Sequence, residues 1–303
     1  MSLGRVLITG GRGQLGSDLQ ERLSGRAEVL SRSHEELDIA DDAQLGRAFD
    51  EAAPDVVFNC AAFHNVEVCE REEDRSFEVN ARAVKRMAER CAGGGAKLVH
   101  LSTNYVFDGS AAEPYPESAG ASPRSIYALS KLAGEYAALA YAPDALVVRG
   151  AGLYGRHGSA SKGGNFVTRM IARAREQGSV KMVADQRLSP TYTGDLAEAL
   201  IEGVETGASG LVHLTASGDC SWFEFTEAIM AVAGIETALD PVSTTRPPGG
   251  ADRPLNGVLA RPRADSLGLT PLRHWREALV DYMERAGMAA DSPLSIPTSG
   301  GDS

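Results

Sequence analysis

Tyr127 and Lys131, in Tyr127-Ala-Leu-Ser-Lys131, are the first residues whose types and spacing can do chemistry. On a helix this spacing puts phenol and ammonium on one face, where the positive charge favours phenolate and lowers the tyrosine pKa toward the working range. A phenol placed that way can give a proton to a carbonyl oxygen as a hydride reaches the carbon. Eight tyrosines and five lysines in 303 residues leave well under one such pair to chance. Thr103, at the end of the strand-like run Lys97 to Leu101, offers a hydroxyl donor to the same oxygen. A solvated surface pair is the competing reading of Tyr127 and Lys131, and a second cluster bears on it.

That cluster is Gly10-Gly11-Arg12-Gly13-Gln14-Leu15-Gly16, which follows the apolar run Val6-Leu7-Ile8-Thr9 and opens an amphipathic segment. Strand, glycine turn and helix N-terminus together let backbone N–H groups and the helix dipole hold a pyrophosphate. Gly10, Gly13, Gln14, Leu15 and Gly16 are therefore expected to bind a cofactor. After Val29-Leu30 come Ser31-Arg32-Ser33, with no acid until Glu35. An arginine there suits a 2′-phosphate, so Arg32 points to NADPH, with NADH as the alternative; Asp38 is counted with the same group. A solvated loop residue is the other reading of Arg32.

Short apolar runs bounded by turn residues must position these groups: 6–9, 29–30, 55–59, 97–101 and 145–149. With helix-like segments between them (14–24, 76–91 and 125–140), they predict an α/β fold, a doubly wound parallel sheet of Rossmann type. The texture changes after Tyr154. Residues 1–154 are expected to form the dinucleotide-binding domain, rejoined by 190–216. Residues 155–189 and 217–286 are expected to form a smaller, interleaved C-terminal substrate lobe, and 287–303, rich in Ala, Ser, Pro and Gly, a disordered tail.

Composition narrows the partners. A net charge of -11 disfavours nucleic acid and anionic membrane, which need basic patches. No stretch approaches a membrane span, the N-terminal apolar run is too short for a signal peptide core, and a cytoplasmic location is expected. Cys60, Cys69, Cys91 and Cys220 form no C-x-x-C pair, so reduced, partly buried thiols are expected, and no sequence signal assigns a metal.

The motifs together resemble an extended short-chain dehydrogenase/reductase. They are the glycine spacing, Asn59-Cys60-Ala61-Ala62, Ser102-Thr103-Asn104-Tyr105-Val106-Phe107-Asp108-Gly109 and the Tyr127–Lys131 pair. Within that group, Gly163 to Phe166, Asp185-Gln186, Ser189-Pro190-Thr191, Ser221-Trp222-x-Glu224-Phe225 and Arg253-Pro254 resemble the dTDP-4-dehydrorhamnose reductase family, over residues 5 to about 285. The resemblance implies a Thr103, Tyr127, Lys131 catalytic set and a Lys131 that also holds the nicotinamide ribose. It further implies Ala61 and Ala62 along the cofactor, and His64, Val66, Asn104, Asn165, Trp222 and Arg253 toward a dTDP-sugar. Asn80 resembles a supporting residue of the family, and a homodimer is the family's expectation. The expected activity is reduction of the C4 ketone of a nucleotide-activated 4-keto-6-deoxyhexose. A non-catalytic NADP-binding subunit like the regulatory β subunit of methionine adenosyltransferase, or a sugar-nucleotide epimerase, are the alternatives.

The chain departs from the family's pattern in places. Asn104 stands where the family has an acid, and Asn104-Tyr105 supplies none of the carboxyl groups that related 4,6-dehydratases use after the threonine. Arg149-Gly150-Ala151-Gly152-Leu153 lacks the family's pocket tryptophan, and Phe63-His64-Asn65-Val66-Glu67 replaces Tyr-Thr-Ala-Val-Asp. The last two changes fall where the sugar should sit.

Overall fold

The computed structural model describes residues 3–157, 164–246 and 249–290. Strands β1 (Arg5–Thr9), β2 (Glu28–Arg32), β3 (Val56–Asn59), β4 (Lys97–Thr103) and β5 (Leu146–Gly150) join the strand Gly210–His213 in one six-stranded sheet. Its order is Gly210–His213, β5, β4, β3, β1, β2, with every neighbouring pair parallel. The inner strands read as unbroken apolar runs because both faces are covered: Val6, Leu7, Ile8, Val56, Val57 and Phe58 are all fully buried. Alternate residues serve opposite layers. Val6, Ile8, Phe58 and Val148 pack with Leu19 and Leu200, whereas Leu7, Val57, Leu98 and Val147 pack with Leu45, Met87 and Ala138. The chain order reverses between β1 and β3, and in such sheets the crevice beyond the strand ends at that point takes the ligand.

A second core gathers Tyr154, Met170, Phe225, Trp275 and Tyr282. Around it lie the helices Phe166–Gln177, Trp222–Ala233 and Trp275–Arg285 and a parallel pair of strands, Ser179–Val183 with Ala238–Val242. Among the described residues, no helix is long and apolar enough to cross a membrane. Cys69, Cys91 and Cys220 are buried free thiols and Cys60 is half-buried.

Two expectations need correction, and one helix lies outside them. The helix Asp42–Ala52 was not anticipated, although Asp41 caps it by accepting from the backbone N–H groups of Ala43 and Gln44. The helix expected over 76–91 runs longer, from Glu73 to Gly94, and carries a π-helical turn at Glu78–Arg82. Disorder expected from Gly287 does not hold for 287–290. Met288 N donates to Met283 O (2.8 Å) and Ala290 N to Val232 O (3.0 Å), while Met288 and Ala289 pack on the second core. The low apolar content of the segment hid the one large anchor, Met288; residues 291–303 of that expectation lie outside the described residues.

Candidate active site

The glycine turn sits where β1 meets the helix Gln14–Leu23. Gly10 has φ +71°, and a Cβ there would lie 2.8 Å from Ala61 N; one on Gly16 would lie 2.5 Å from Gly10 O. The turn therefore lies flush against the Cys60–Ala62 segment, which only glycine permits. Gln14 Oε1 is buried with no hydrogen-bond partner at the start of that helix. A helix N-terminus without a side-chain cap, beside an unsatisfied side-chain oxygen, fits a dinucleotide. Leu15 is different from the expectation: its side chain is in the core, so only its backbone faces the turn.

Beyond β2, Arg32 Nη2 pairs with Glu51 Oε1 at 2.6 Å, and Arg12 Nη1 of the glycine turn with Glu35 Oε2 at 2.8 Å. Both guanidiniums flank the place expected for a 2′-phosphate. Arg32→Ala should weaken NADPH about tenfold or more relative to NADH, since hydrogen bonds to charged groups are worth about 1.5–3 kcal/mol. The ratio of the two cofactors' KM values reads this directly, and an unchanged ratio would return Arg32 to the ordinary loop. Asp38, expected with the cofactor group, also has a local role. Its oxygens accept from Arg75 Nη2 (2.7 Å) and Ala40 N (3.0 Å), which holds the turn after β2.

Thr103 ends β4, and its hydroxyl caps the short helix Asn104–Val106 by accepting from Tyr105 N at 3.2 Å. Tyr127 is the second residue of the helix Ile126–Tyr141, whose N-terminus is fixed by Ser125 and by Glu70, whose carboxylate accepts from Ile126 N at 2.8 Å. The ring of Tyr105 meets that of Tyr127 edge-on at 6.0 Å. Burial pushes the Tyr127 phenol above its usual value, and a hydrogen bond with Thr103 only partly opposes it. The expected lowering by Lys131 is thus not what the structure gives. Lys131 Nζ donates to Leu101 O at 2.5 Å, and burial pushes its pKa down to about 8. A phenol held protonated still suits an acid that must deliver its proton.

Two buried brackets hold this helix against the sheet. Asn80, on the π-turn, accepts from Phe63 N (2.9 Å) and donates to Phe63 O (2.9 Å) and Ser130 Oγ (3.0 Å). It ties the segment after Ala62 to the turn carrying Tyr127, and π-turns recur at functional sites. Glu135 forms a two-pronged pair with Arg149 of β5, 2.9 and 2.7 Å, and accepts from Ser102, the neighbour of Thr103.

On the substrate side the expected residues divide. Asn104 is buried, and its Nδ2 donates to Gly257 O at 2.9 Å; a Cβ on residue 257 would lie 2.3 Å from that nitrogen. An acid at 104 has no donor for this carbonyl. Asn104→Asp should therefore cost about 1–3 kcal/mol, as expected for a buried acceptor left facing a carboxylate. A lowered melting temperature checks this; an unchanged one would mean the Gly257 contact is dispensable. Arg253 Nη2 pairs with Glu67 Oε1 at 2.7 Å, and Ala251 N donates to Glu67 Oε2 at 3.1 Å, so Glu67 clasps the segment around Arg253. Arg253 also opposes the rise that burial gives the Tyr105 phenol, which places it beside the Tyr105–Tyr127 ring pair. His64 and Val66 lie half-buried on the segment after Ala62, with His64 Nδ1 at 3.3 Å from Ala62 O.

Asn165 departs from the role expected of it, and Trp222 lies at the start of a neighbouring helix. Asn165 caps the helix Phe166–Gln177 through Thr168 N, and its Nδ2 donates to Gly155 O and Tyr282 OH, both at 2.6 Å. Its polar atoms are spent on architecture. Trp222 packs at 4.4 Å on Phe166, directly after Ser221, which with Glu224 forms a capping box.

Glu67, Tyr105, Glu135 and His100 were not singled out as site residues; their partners lie 14 or more positions away in the chain, and no local spacing announces them. Residues 4–288 match the family model described as RmlD substrate binding domain. The chain is 38% identical to the spore coat polysaccharide biosynthesis protein SpsK of Bacillus subtilis over 288 residues, covering 95% of this chain and 99% of that protein. It is also 38% identical to a dTDP-4-keto-6-deoxy-D-glucose reductase of Streptomyces niveus, covering 91% and 95%. The structure of dTDP-4-dehydrorhamnose reductase from Bacillus anthracis in complex with NADP superposes with a TM-score of 0.88 at 34% identity, covering 94% of this chain and all of that one. The glycine cradle, the Thr103–Tyr127 pair and the match over nearly the whole length agree: the chain belongs to the RmlD substrate binding domain family.

Proposed function

We propose that this protein reduces the C4 ketone of a nucleotide-activated 4-keto-6-deoxyhexose, with NADPH as cofactor. The observation that carries the reading is the half-buried Tyr127 phenol set beside the Thr103 hydroxyl at the end of β4, on the ligand side of the sheet, where burial raises its pKa. The relatives named for reduction of dTDP-linked keto sugars support the same reading.

The turn Gly10–Gly16, with Gln14, Ala61, Ala62 and Arg32, would hold the dinucleotide, which when bound supplies the hydride. Thr103 donates a hydrogen bond to the ketone oxygen and polarises it. Tyr127 gives its proton to that oxygen as the charge develops, and Lys131, while protonated, stabilises the resulting phenolate. Asn104, tied to Gly257 O, has no carboxyl to offer, so elimination from the sugar gains no acid or base here. Residues 155–189 and 217–286 are assigned to the sugar nucleotide, with Arg253 as its cationic contact. The setting is the cytoplasm.

The test is oxidation of NADPH by the purified protein with dTDP-4-keto-6-deoxy-L-mannose and, separately, its unepimerised D-gluco precursor. Turnover of the first assigns the rhamnose branch and preference for the second another deoxysugar branch. Failure of both to consume NADPH sinks the proposal.

A further inference from the structure

A row of polar side chains crosses the buried sheet and ends on Lys131. Thr9, Asn59 and His100 are paired in register on adjacent strands β1, β3 and β4, and all three are fully buried. Thr9 Oγ1 donates to Asn59 Oδ1 at 2.8 Å, Asn59 Nδ2 meets His100 Nδ1 at 3.0 Å, and His100 Nε2 faces Lys131 Nζ at 3.4 Å. Such a row is costly unless every member is satisfied.

We propose that Thr9, Asn59 and His100 form a positioning ladder that fixes the tautomer of His100 and, through it, eases the loss of a proton from Lys131. The directions follow from what each group can do. Asn59 Oδ1 is an acceptor taken by Thr9, so the amide presents N–H to His100 Nδ1, which must accept. Neutral imidazole then carries its proton on Nε2, aimed at Lys131. An ammonium has no lone pair for that N–H, whereas a neutral amine accepts it and still donates to Leu101 O. The ladder therefore complements uncharged Lys131.

His100 cannot relieve the conflict by ionising, because burial and nearby Lys131 hold it well below its usual value. Two other groups face Lys131. Glu135, from its own helix, favours the ammonium but is shared with Arg149 and Ser102; the Cys60 thiol after β3, raised to about 12 by burial, stays neutral. Burial of Lys131 acts in the same direction as the ladder. The inference rests on the reductase reading only for its kinetic consequence. Reduction that needs the Lys131 ammonium is fully present below its pKa and lost as pH rises through about 8.

Thr9→Val is isosteric and leaves His100 and Lys131 in place, but it removes the donor that orients Asn59. The amide is then free to turn its oxygen to His100, which moves the ring proton to Nδ1 and lets Nε2 accept from the ammonium. In free, ¹⁵N-histidine-labelled protein at about pH 9.5, NMR should show His100 as the Nε2–H tautomer, changing toward Nδ1–H in Thr9→Val. The alkaline limb of kcat should move up by about half a pH unit or more in that variant. An Nδ1–H signal in the unaltered chain, or a tautomer untouched by Thr9→Val, overturns the ladder. The NMR result needs no turnover, so it stands apart from any failure of the reductase assay. A limb that stays put while the tautomer moves would break the link to Lys131.

Discussion

Tyr127→Phe should lower kcat by about 10²–10⁴-fold, the usual contribution of a positioned acid, while NADPH affinity stays nearly unchanged. The ring keeps its edge-on contact with Tyr105 and its place on the helix, so only the transferable proton and the hydrogen bond with Thr103 are lost. Single-turnover reduction together with cofactor titration separates the two quantities. A variant that still turns over at the original rate would remove Tyr127 from the mechanism and leave Thr103 or solvent as proton source. Cofactor binding that collapses along with turnover would mean the hydroxyl had been holding the site's shape.

The second large effect is on stability. Arg149→Met should cost about 3–5 kcal/mol, because it strands the Glu135 carboxylate at a site where both side chains are almost wholly buried. Arg149 also lies over the Phe107 ring at 5.0 Å, an attraction lost with the charge. The urea midpoint should fall with little change in slope. Replacing both partners, Glu135→Leu with Arg149→Met, should be milder than the single change, since no charge is left alone. A double variant worse than either single would show that packing, not the ion pair, dominates there. Turnover should fall with the single variant as well, because Glu135 also holds Ser102, beside Thr103.

The residues legible in the sequence are those whose geometry is local. Tyr127 and Lys131 are one helical turn apart, and the glycine turn is a contiguous strand-to-helix connection. Their places follow from element type alone. The Glu67–Arg253 clasp, the Asn104–Gly257 contact and the His100–Lys131 approach join residues 186, 153 and 31 positions apart, and only the tertiary fold brings them together. Asn165 shows the opposite failure. A family pattern pointed to the sugar, while the local signal, an asparagine three residues before Thr168 at a helix start, pointed to a cap. The same holds for Ser221-x-x-Glu224 next to Trp222. Lys131 shares its helix with Tyr127, but its amine is directed at Leu101 O, and burial decides the Tyr127 pKa.

The π-turn at Glu78–Arg82 has a consequence for chain length. A π-turn is one residue more than the α-helix needs, and each residue of an α-helix advances about 100° around the axis. Deleting one residue there would give a more regular helix and a worse enzyme. Either Asn80 would swing away from Phe63 and Ser130, or the whole helix Ala83–Gly94 would rotate its buried Val84, Met87 and Cys91 out of the core. The irregular turn thus lets two faces that are out of phase, one for the site and one for the sheet, share a single continuous rod.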